Sequence, residues 1–521
     1  MAALPAQCDV LIVGAGPSGL MLANQLARHG TDALIIDRHA GPARESRALG
    51  VQARTMEIYA HLGLMERALA LGKVATGANM WARGRRTVRI PLGDIGRNLS
   101  AYPFLLILGQ DDNEKLLGDA LRTHGRDVQW QHELSALYPQ PDGVRATIRT
   151  PGGEQVVTAR YVAGCDGAKS AVRELNRIAF PGAPYEHVFF VADVTVTGAM
   201  TPDEINIFLL VDGFHLFFPM RRQDHWRLVG ILPEDLRERD GLTFEQLVPR
   251  LRAQAVQDLA FGECRWFSTY RIHHRKAAPF RAGRCFVLGD AAHIHSPVGA
   301  QGMNTGLQDA YNLAWKLAYV LNGKAGDKLL DSYAAEREPV AERLLATTDR
   351  LFSFAVSDNW VSTILRTRVI AHVPALAMRF DAARKAAFGA ISQLGINYRQ
   401  SPVSQTNAGL PDDSPRAGDR FPWMKLSFTP NAPAEDLFVK LDDTRFTLIL
   451  IDQSAEEVPS GLPISVLEIP NVPATIAALA RAGIRGPSYF LLRPDGYIGL
   501  AGTRLQAGLL QRYFAEHIAP H

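Results

Sequence analysis

The hydrophobic pattern along the chain predicts an α/β domain interrupted by a separate sheet. Residues 8–13, 156–162 and 285–288 are short, largely apolar runs, which are typical of strands buried on both faces. A glycine-containing loop follows each run, and helical periodicity begins after the first loop and again at residues 307–321. Residues 188–272 instead show short alternating runs, which indicate a mostly antiparallel sheet. This sheet would be inserted between the two halves of the α/β domain.

The last part of the chain shows a further change of pattern. Helices are predicted at 329–349 and 361–394, the second interrupted near Pro374, and a Pro-, Gly- and Asp-rich linker covers 402–422. Beyond the linker, apolar runs alternate with helical periodicity, which suggests a small separate α/β domain. The predicted domains are therefore 1–180 with 273–400, then 181–272 with about 75–110, and finally 401–521.

Composition narrows the class of protein. The chain has 521 residues, of which 47% are hydrophobic, so it is long enough for more than one core. A net charge of +3 is too small to indicate a nucleic-acid partner or a membrane surface. The four cysteines show neither CxxC nor metal-ligand spacing, so no metal site is predicted and a reducing compartment is favoured. We find neither a signal-peptide pattern nor a membrane-length apolar run, so we expect a soluble, cytoplasmic protein.

Residues 8–37 form a complete dinucleotide-binding pattern. Gly14-x-Gly16-x-x-Gly19 lies between the first predicted strand and helix, and Asp37 ends the next predicted strand. The first glycine permits a tight turn, the second lets the backbone approach a pyrophosphate, and the third allows close helix packing. Asp37 would accept hydrogen bonds from a ribose. An isolated GxGxxG is weak evidence, but here the strand, helix and acid are all in place.

The stretch from Gly289 to Gly306 brings a carboxylate and a flexible loop to another helix N-terminus. Asp290 follows the apolar run 285–288, and a loop rich in glycine, serine and proline precedes the helix. Free backbone amides at such a terminus, with the helix dipole behind them, stabilise an anion or a developing negative charge. Taken by itself, the same pattern fits a purely structural corner equally well.

Arginines and a glutamine lie between these two patterns. Arg44, Arg47 and Arg54 belong to a loop and helix start, where guanidinium groups suit a pyrophosphate or an anionic substrate. Each of them taken singly also fits an ordinary solvated face. Gln110 opens another predicted helix with acidic residues in its first turn.

Three motifs in this order resemble those of the single-component FAD-dependent aromatic hydroxylases, the family of para-hydroxybenzoate and phenol hydroxylases. They are Gly14-x-Gly16-x-x-Gly19 with Asp37, Cys165-Asp166-Gly167-x-x-Ser170-x-x-Arg173, and Gly289-Asp290-Ala-Ala-His293 with Gln301-Gly302-Met303-Asn304. The resemblance covers the whole chain and favours the branch that includes aromatic polyketide hydroxylases. It implies a Rossmann-like FAD-binding domain, an inserted antiparallel substrate domain and a thioredoxin-like C-terminal domain.

The resemblance also implies a non-covalent FAD site. Asp37 would hold the adenosine ribose, Asp166 would lie near the pyrophosphate and the NADPH approach, and Asp290 would hold the ribityl or pyrophosphate region. The backbone from Gly299 to Asn304 would face the isoalloxazine ring. The residues expected to bind the cofactor are Gly14, Gly16, Pro17, Ser18, Gly19, Asp37, Arg38, Arg47, Gln110, Asp166, Gly167, Gly289, Asp290, Pro297, Gly299, Gly302, Met303 and Asn304.

The activity implied by the family is NAD(P)H-dependent monooxygenation. Reduced FAD would react with O2 to form a flavin C4a-hydroperoxide, which hydroxylates a phenolic or polycyclic aromatic substrate. NADPH or NADH would meet the flavin from a surface cleft, because the chain has a single dinucleotide pattern. A flavin-dependent oxidase or halogenase is an alternative, although the halogenase signature Trp-x-Trp-x-Ile-Pro is missing. An FAD-bound binding module without catalysis is a third hypothesis.

Candidate catalytic residues are Arg47, Pro297, Tyr270 and His215. In the family, the loop containing Arg47 passes near the flavin, and Pro297 would fix the loop on the substrate side of the ring. Tyr270 and His215 lie in the predicted sheet, where such residues more often belong to the core or rim than act as a base. The C-terminal domain has no cysteine after the apolar run 446–451, so we expect a scaffold without disulfide chemistry, through which the protein could form a homodimer.

Overall fold

The computed structural model describes residues 3–43, 48–210, 213–237, 239, 241–254, 259–295, 301–356, 381–429 and 432–519. The first of its three main units, here called the dinucleotide domain, is built on a mainly parallel sheet. Its strands are β1 (Gln7–Val13), β2 (Ala33–Asp37), β8 (Gln129–Trp130), β9 (Glu133–Gln140), β10 (Gly143–Thr150), β11 (Gly153–Gly164), β17 (Arg281–Ala282) and β18 (Cys285–Val287). They follow the order β17-β18-β11-β1-β2-β8, and the β9–β10 hairpin extends from β11.

The apolar runs of this sheet are buried on both faces. Val10, Leu11 and Ile12 of β1 are fully buried, as expected for a parallel strand covered on both sides. Helices α1 and α8 pack together beside the sheet. The helices of this domain are α1 (Pro17–Arg28), α2 (Ala53–His61), α3 (Met65–Leu71), α4 (Leu92–Ile95), α5 (Gln110–Thr123), α6 (Ala171–Leu175), α8 (Gly302–Leu321), α9 (Asp331–Val356) and α10 (Asp381–Ile391).

The second unit, the central sheet, is antiparallel except for one parallel pair, β5 with β13. Its order is β19-β16-β12-β15-β14-β13-β5-β6. The strands are β5 (Gly77–Ala82), β6 (Arg85–Pro91), β12 (Gly182–Gly198), β13 (Ile205–Leu210), β14 (Gly213–Pro219), β15 (His225–Ile231), β16 (Leu259–Lys276) and β19 (His293–Ile294). One helix that the sequence pattern did not predict, α7 (Phe244–Gln254), covers one face. Residues 105–109 do not join this sheet, because β7 (Leu105–Gly109) pairs with β3 (Leu49–Val51) and β4 (Lys73–Ala75).

The central sheet has two different faces. On the outer face, Phe190 and Phe217 pack with Leu247 of α7. The inner face points towards the dinucleotide domain, because Ile207 and Phe218 pack against that domain's core. A second aromatic cluster lies on the inner face and contains Phe189, Phe214, Ile231, Tyr185, Leu216 and Tyr270. The strand alternation therefore directs one aromatic surface towards the dinucleotide domain.

The C-terminal domain is built on a five-stranded sheet in the order β20-β26-β25-β23-β24. β24 is parallel to β23, whereas β25 is antiparallel to both β23 and β26. This arrangement supports the prediction of a thioredoxin-like domain. Its elements are β20 (Gln405–Thr406), β21 (Lys425–Leu426), β22 (Glu435–Asp436), β23 (Phe446–Ile451), β24 (Ile464–Ile469), β25 (Ser488–Leu492), β26 (Ile498–Gly502), α11 (Pro473–Arg481) and α12 (Leu509–His517). Within the described ranges, no helix is both long and apolar enough to span a membrane.

Candidate FAD site

The carboxyl ends of β1, β11 and β18 meet at one edge of the parallel sheet. The amide of Cys165 donates to the carbonyl of Val13 at 2.7 Å, and the amide of Leu288 donates to the carbonyl of Gly164 at 2.9 Å. The loops that carry the three sequence motifs are therefore neighbours. Ligands of open α/β sheets bind at this edge, beyond the carboxyl ends of the strands.

The glycines of the first motif have different surroundings. A Cβ on Gly14 would lie 2.3 Å from the carbonyl oxygen of Cys165, and one on Gly19 would lie 1.9 Å from that of Gly14. A Cβ on Gly16 would meet no described atom within 4 Å. Helix α1 begins next to this open space, at Pro17, so its first-turn amides lack intrahelical acceptors. The geometry fits a pyrophosphate held at a helix N-terminus.

The carboxylate of Asp37 lies against the same loop. Its Oδ2 accepts a hydrogen bond from the amide of Ala15 at 2.8 Å, and its Oδ1 accepts one from the amide of His39 at 2.8 Å. This placement at the end of β2 suits a ribose hydroxyl pair. Arg38 is exposed and, together with Gln131, borders a shallow groove. Its side chain therefore contributes less to the glycine loop than the carboxylate of Asp37 does.

The second motif supplies another carboxylate. The Oδ2 of Asp166 accepts a hydrogen bond from the amide of Val172 at 3.2 Å, whereas its buried Oδ1 has no partner among the described residues. Burial raises the pKa of Asp166. Gly167 has a φ of +74° and open space beside it. An unsatisfied carboxylate oxygen next to a glycine turn is consistent with a ligand at this edge.

Arg173 links the second motif to the third. Its Nη2 donates to the carbonyl of Ala168 at 2.7 Å, and its Nη1 donates to the carbonyl of Ala291 at 3.0 Å. The guanidinium also lies 3.9 Å from the centre of the Phe180 ring. Arg173 therefore stabilises the backbone of both loops, and its contacts explain the arginine at the end of the motif.

Gly289 and Gly306 bring the third motif close to α1. A Cβ on Gly289 would lie 2.6 Å from the Oγ of Ser18, and one on Gly306 would lie 2.4 Å from the same atom. Asp290 is exposed to solvent. The protein atoms around its carboxyl nevertheless raise the pKa of Asp290 by desolvation, and His293 opposes this effect.

Asp309 holds the third motif in place, although the sequence pattern did not single it out. Its Oδ2 accepts hydrogen bonds from the amide of Gly289 at 3.0 Å and from Nε2 of His293 at 2.8 Å. Its Oδ1 accepts one from Nε of Arg337 at 2.6 Å. Burial by itself would raise the pKa of Asp309, but Arg337 and His293 outweigh it and lower the pKa to about 2. The carboxylate is therefore a permanently charged anchor.

The N-terminus of α8 uses two of its predicted side chains for structure. Asn304 accepts from the amide of Gln52 at 2.8 Å and donates to the carbonyl of Gly50 at 3.0 Å, so its side chain links α8 to β3. The Sδ of Met303 accepts from Asn113 at 3.3 Å. Gly302 to Asn304 form the first turn of α8, where backbone amides have no acceptor within the helix itself.

Gln110 lies at the N-terminus of α5 and reaches a neighbouring side chain. Its Nε2 donates to Glu114 at 2.8 Å, and its backbone amide donates to the carbonyl of Ala48 at 3.1 Å. Arg47, Pro297 and Gly299 lie outside the described residues.

The two candidate catalytic residues of the central sheet lie on opposite faces. Tyr270 is on the inner face, with its ring 6.1 Å from that of Phe189. His215 is on the outer face, where it is 2% exposed and lies 5.9 Å from the ring of Phe190. Burial lowers the pKa of His215 to about 4, so it is neutral at physiological pH. Strand alternation therefore turns His215 away from the inner face and into the outer core, so the structure does not bring the two candidates together.

A family model described as "FAD binding domain" matches residues 7–348. The chain is 33% identical over 542 residues to 6-methylpretetramide 4-monooxygenase of Streptomyces rimosus, which covers 99% of this chain and 95% of that protein. It is 33% identical over 466 residues to pentachlorophenol 4-monooxygenase of Sphingobium chlorophenolicum, covering 87% and 81% of the two chains.

Solved structures give the same result. OxyS anhydrotetracycline hydroxylase from Streptomyces rimosus has a TM-score of 0.77 and 29% identity, with 99% of each chain covered. A ternary complex of aklavinone-11 hydroxylase with FAD and aklavinone has a TM-score of 0.80 and 25% identity over 99% of each chain. These matches confirm the predicted hydroxylase fold and its cofactor, FAD. The chain therefore belongs to the family of FAD-dependent aromatic monooxygenases.

Proposed function

We propose that the protein hydroxylates a phenolic or polycyclic aromatic substrate between the inner face of the central sheet and the N-terminus of α8. The observation that carries this proposal is the aromatic cluster on the inner face, around Phe189, Phe214 and Ile231. Relatives named for anhydrotetracycline and aklavinone support a polycyclic substrate, and the relative named for pentachlorophenol supports a single ring.

The inner face suits a flat apolar substrate. Phe189 and Phe214 lie 6.4 Å apart with tilted rings, and Tyr270 packs beside them. Aromatic walls bind a ring through stacking and edge contacts, and they keep water away from the reacting carbon. Substrate binding sites are commonly apolar clefts between domains, with a few polar groups that fix orientation.

Polar groups border this cluster at Tyr185 and His274. The hydroxyl of Tyr185 hydrogen-bonds to Asp349 of α9, and the ring of His274 lies 5.1 Å from that of Tyr185. The Nδ1 of His274 is buried without a hydrogen-bond partner among the described residues. We infer that His274 or Tyr270 orients a substrate hydroxyl, since partial ionisation of a phenol activates its ortho and para carbons.

FAD, when bound, would supply hydride acceptance from NAD(P)H and activation of O2. The protein contributes the geometry. Gly16 and the first turn of α1 would hold the pyrophosphate, Asp37 would hold the ribose, and the carboxylate of Asp290 would bind the ribityl side. The amides at the N-terminus of α8 would stabilise negative charge on the reduced ring. The inner face of the central sheet would orient the aromatic substrate and exclude water.

Basic side chains beside the second motif offer a surface for the phosphates of NAD(P)H. Lys169 is exposed in the loop, and the guanidinium of Arg275 lies 5.9 Å from the ring of Phe180. Guanidinium and ammonium groups bind phosphate oxygens through charge-assisted hydrogen bonds. We propose that the nicotinamide cofactor approaches from this side of the protein.

The test is a panel of phenols and polycyclic aromatics incubated with the FAD-loaded enzyme and NADPH or NADH. A substrate should accelerate NAD(P)H oxidation and yield a product that carries one oxygen atom from labelled O2. Oxygen that comes from water would contradict monooxygenation, and halide incorporation would indicate a halogenase. If no aromatic compound stimulates NAD(P)H oxidation, a binding module becomes the better hypothesis. Light scattering on the same preparation tests the predicted homodimer.

A further inference from the structure

The turn at residues 493–497 joins β25 to β26 and contains two buried charges. The Nε of Arg493 donates to Oδ1 of Asp495 at 3.0 Å, and their side chains are 0% and 1% exposed. Gly496, with a φ of +75°, closes the turn. Charges removed from water in this way require well-placed partners. Most of those partners do not belong to the C-terminal domain.

Three helices of the dinucleotide domain supply the partners. Arg493 donates two hydrogen bonds to Glu336 of α9, at 2.6 Å and 3.1 Å. The Oδ2 of Asp495 accepts from the indole of Trp315 on α8 at 3.2 Å. The backbone carbonyl of Asp495 accepts from Arg54 on α2 at 2.6 Å. One turn of the C-terminal domain therefore holds α2, α8 and α9 in a fixed arrangement.

Arg337, the next residue along α9, extends these contacts towards the cofactor site. Its Nη1 donates to the hydroxyl of Tyr398 at 2.8 Å, and the ring of Tyr398 lies 4.2 Å from that of Tyr497 in the turn. Its Nε donates to Asp309 at 2.6 Å. Arg337 is therefore fixed on one side by residues that contact the turn and on the other by α8.

Asp309 is the last member of this series. Its second oxygen accepts from the amide of Gly289 and from His293, so a movement of α8 relative to α9 would move the loop that presents Asp290. The loop has little freedom to adjust independently, because Gly289 lies against Ser18 of α1. The buried charges from Arg493 to Asp309 are all paired, and paired buried networks rigidify the structure around them.

We propose that the turn 493–497 is a positioning element of the FAD site. It holds α8 and α9 in the arrangement in which Asp309 keeps Gly289 and Asp290 ready to bind the cofactor. Arg493 is its central positioning residue, and it acts without touching FAD. The C-terminal domain then contributes directly to cofactor affinity, in addition to any role as a scaffold.

The experiment compares three variants by the affinity of their apoproteins for FAD, measured by quenching of flavin fluorescence. Arg493→Met removes the contacts of the turn, and Tyr398→Phe removes the hydrogen bond to Arg337 while it keeps the aromatic packing. The matched control is Arg485→Met, because Arg485 forms an exposed ion pair with Asp413 in the same domain. Arg493→Met should raise the Kd on the order of tenfold. Tyr398→Phe should raise the Kd by a smaller factor, and the control should stay within about twofold.

Circular dichroism separates positioning from general stability. The far-ultraviolet spectrum and thermal melting of each apoprotein report folding, and the visible spectrum at saturating FAD reports the flavin's surroundings. Positioning predicts an altered visible spectrum for Arg493→Met and a wild-type spectrum for Arg485→Met. If Arg493→Met does not fold, the result for Tyr398→Phe alone decides. A wild-type Kd in the folded variants, or an equal loss in the control, would overturn the proposal.

Discussion

Single residues of the cofactor site divide into those that face the ligand and those that hold the backbone. Gly16 faces open space, whereas Gly14 and Gly19 have no room for any side chain because backbone atoms lie against them. Asp290 is exposed to solvent, whereas Asp309 is fully buried and holds the loop from behind. Substitutions in the first group should therefore weaken FAD binding, whereas substitutions in the second group should lower the stability of the fold.

The replacement Gly16→Val should separate cofactor binding from folding. The valine side chain would enter the space expected for the pyrophosphate and meet no described atom within 4 Å of its Cβ, so the apoprotein should fold normally. Because valine would keep the backbone away from the pyrophosphate, a charge-assisted hydrogen bond should be lost. The Kd for FAD should then rise roughly tenfold to hundredfold. Titration of the apoprotein with FAD measures this loss.

The matched comparison for Gly16→Val is Gly19→Val. Its Cβ would lie 1.9 Å from the carbonyl oxygen of Gly14, so the apoprotein itself should lose stability and melt at a lower temperature. Wild-type FAD affinity in Gly16→Val, or equal melting temperatures for the two variants, would contradict this assignment of the glycines.

His215→Leu should weaken the dependence of stability on pH. The folded state favours neutral His215, since burial lowers its pKa to about 4, whereas the unfolded chain titrates near about 6.5. The stability that neutral His215 contributes is therefore present above about pH 6.5 and is lost as the pH falls towards 4. When the pH falls from 7 to 4.5, wild type should therefore lose on the order of 2 kcal/mol more of its free energy of unfolding than the variant does.

Thermal melting at the two pH values measures the effect of His215→Leu. His29, whose pKa burial also lowers to about 4, is present in both proteins and cancels in the comparison. Parallel pH profiles for variant and wild type would contradict the prediction. Because His215 lies on the outer face, the variant should also retain hydroxylation, which a catalytic base would not allow.

At the scale of secondary structure, local periodicity predicted the buried strands, the helices after the first and third glycine loops and the strands of the central sheet. Contacts between distant parts of the chain could not be predicted in this way. The side chain of Asn304, for example, hydrogen-bonds to Gln52 and Gly50, which precede it by 252 and 254 residues. Helix α7 was missed although Phe244, Leu247 and Leu251 follow helical spacing, because Pro249 interrupts the pattern.

The two faces of β14 should respond differently to the same substitution. Phe214 belongs to the inner cluster and Phe217 to the outer core, and both are nearly fully buried. Phe214→Leu should reshape the substrate surface, so that more NADPH is oxidised without product formation. Phe217→Leu should lower the melting temperature and leave this coupling unchanged. The ratio of product to NADPH consumed is the measurement, and equal ratios in the two variants would argue against the inner face as substrate surface.

At the scale of the whole molecule, the C-terminal domain is less separate than its linker suggests. The Pro- and Gly-rich stretch 402–422 predicted an independent unit, yet one hydrophobic core contains residues of both domains. Trp315 and Tyr319 of α8 each lie 5.6 Å from the ring of Phe446 on β23. Sequence composition shows where a chain lacks regular structure, but it does not show how closely the flanking domains pack afterwards.

This shared core predicts that the dinucleotide and C-terminal domains unfold together. Phe446→Ala would leave a cavity between Trp315, Tyr319 and Phe514. Truncating a buried phenylalanine should lower the free energy of unfolding by about 3 to 5 kcal/mol. Because the cavity borders α8, loss of FAD fluorescence quenching and loss of far-ultraviolet circular dichroism should shift to lower temperature by the same amount. The exposed Val439 provides a control, since Val439→Ala removes a side chain that is 81% exposed and should shift neither signal. Two separate transitions, with FAD released at the wild-type temperature, would show that the C-terminal domain unfolds independently and that α8 does not need it.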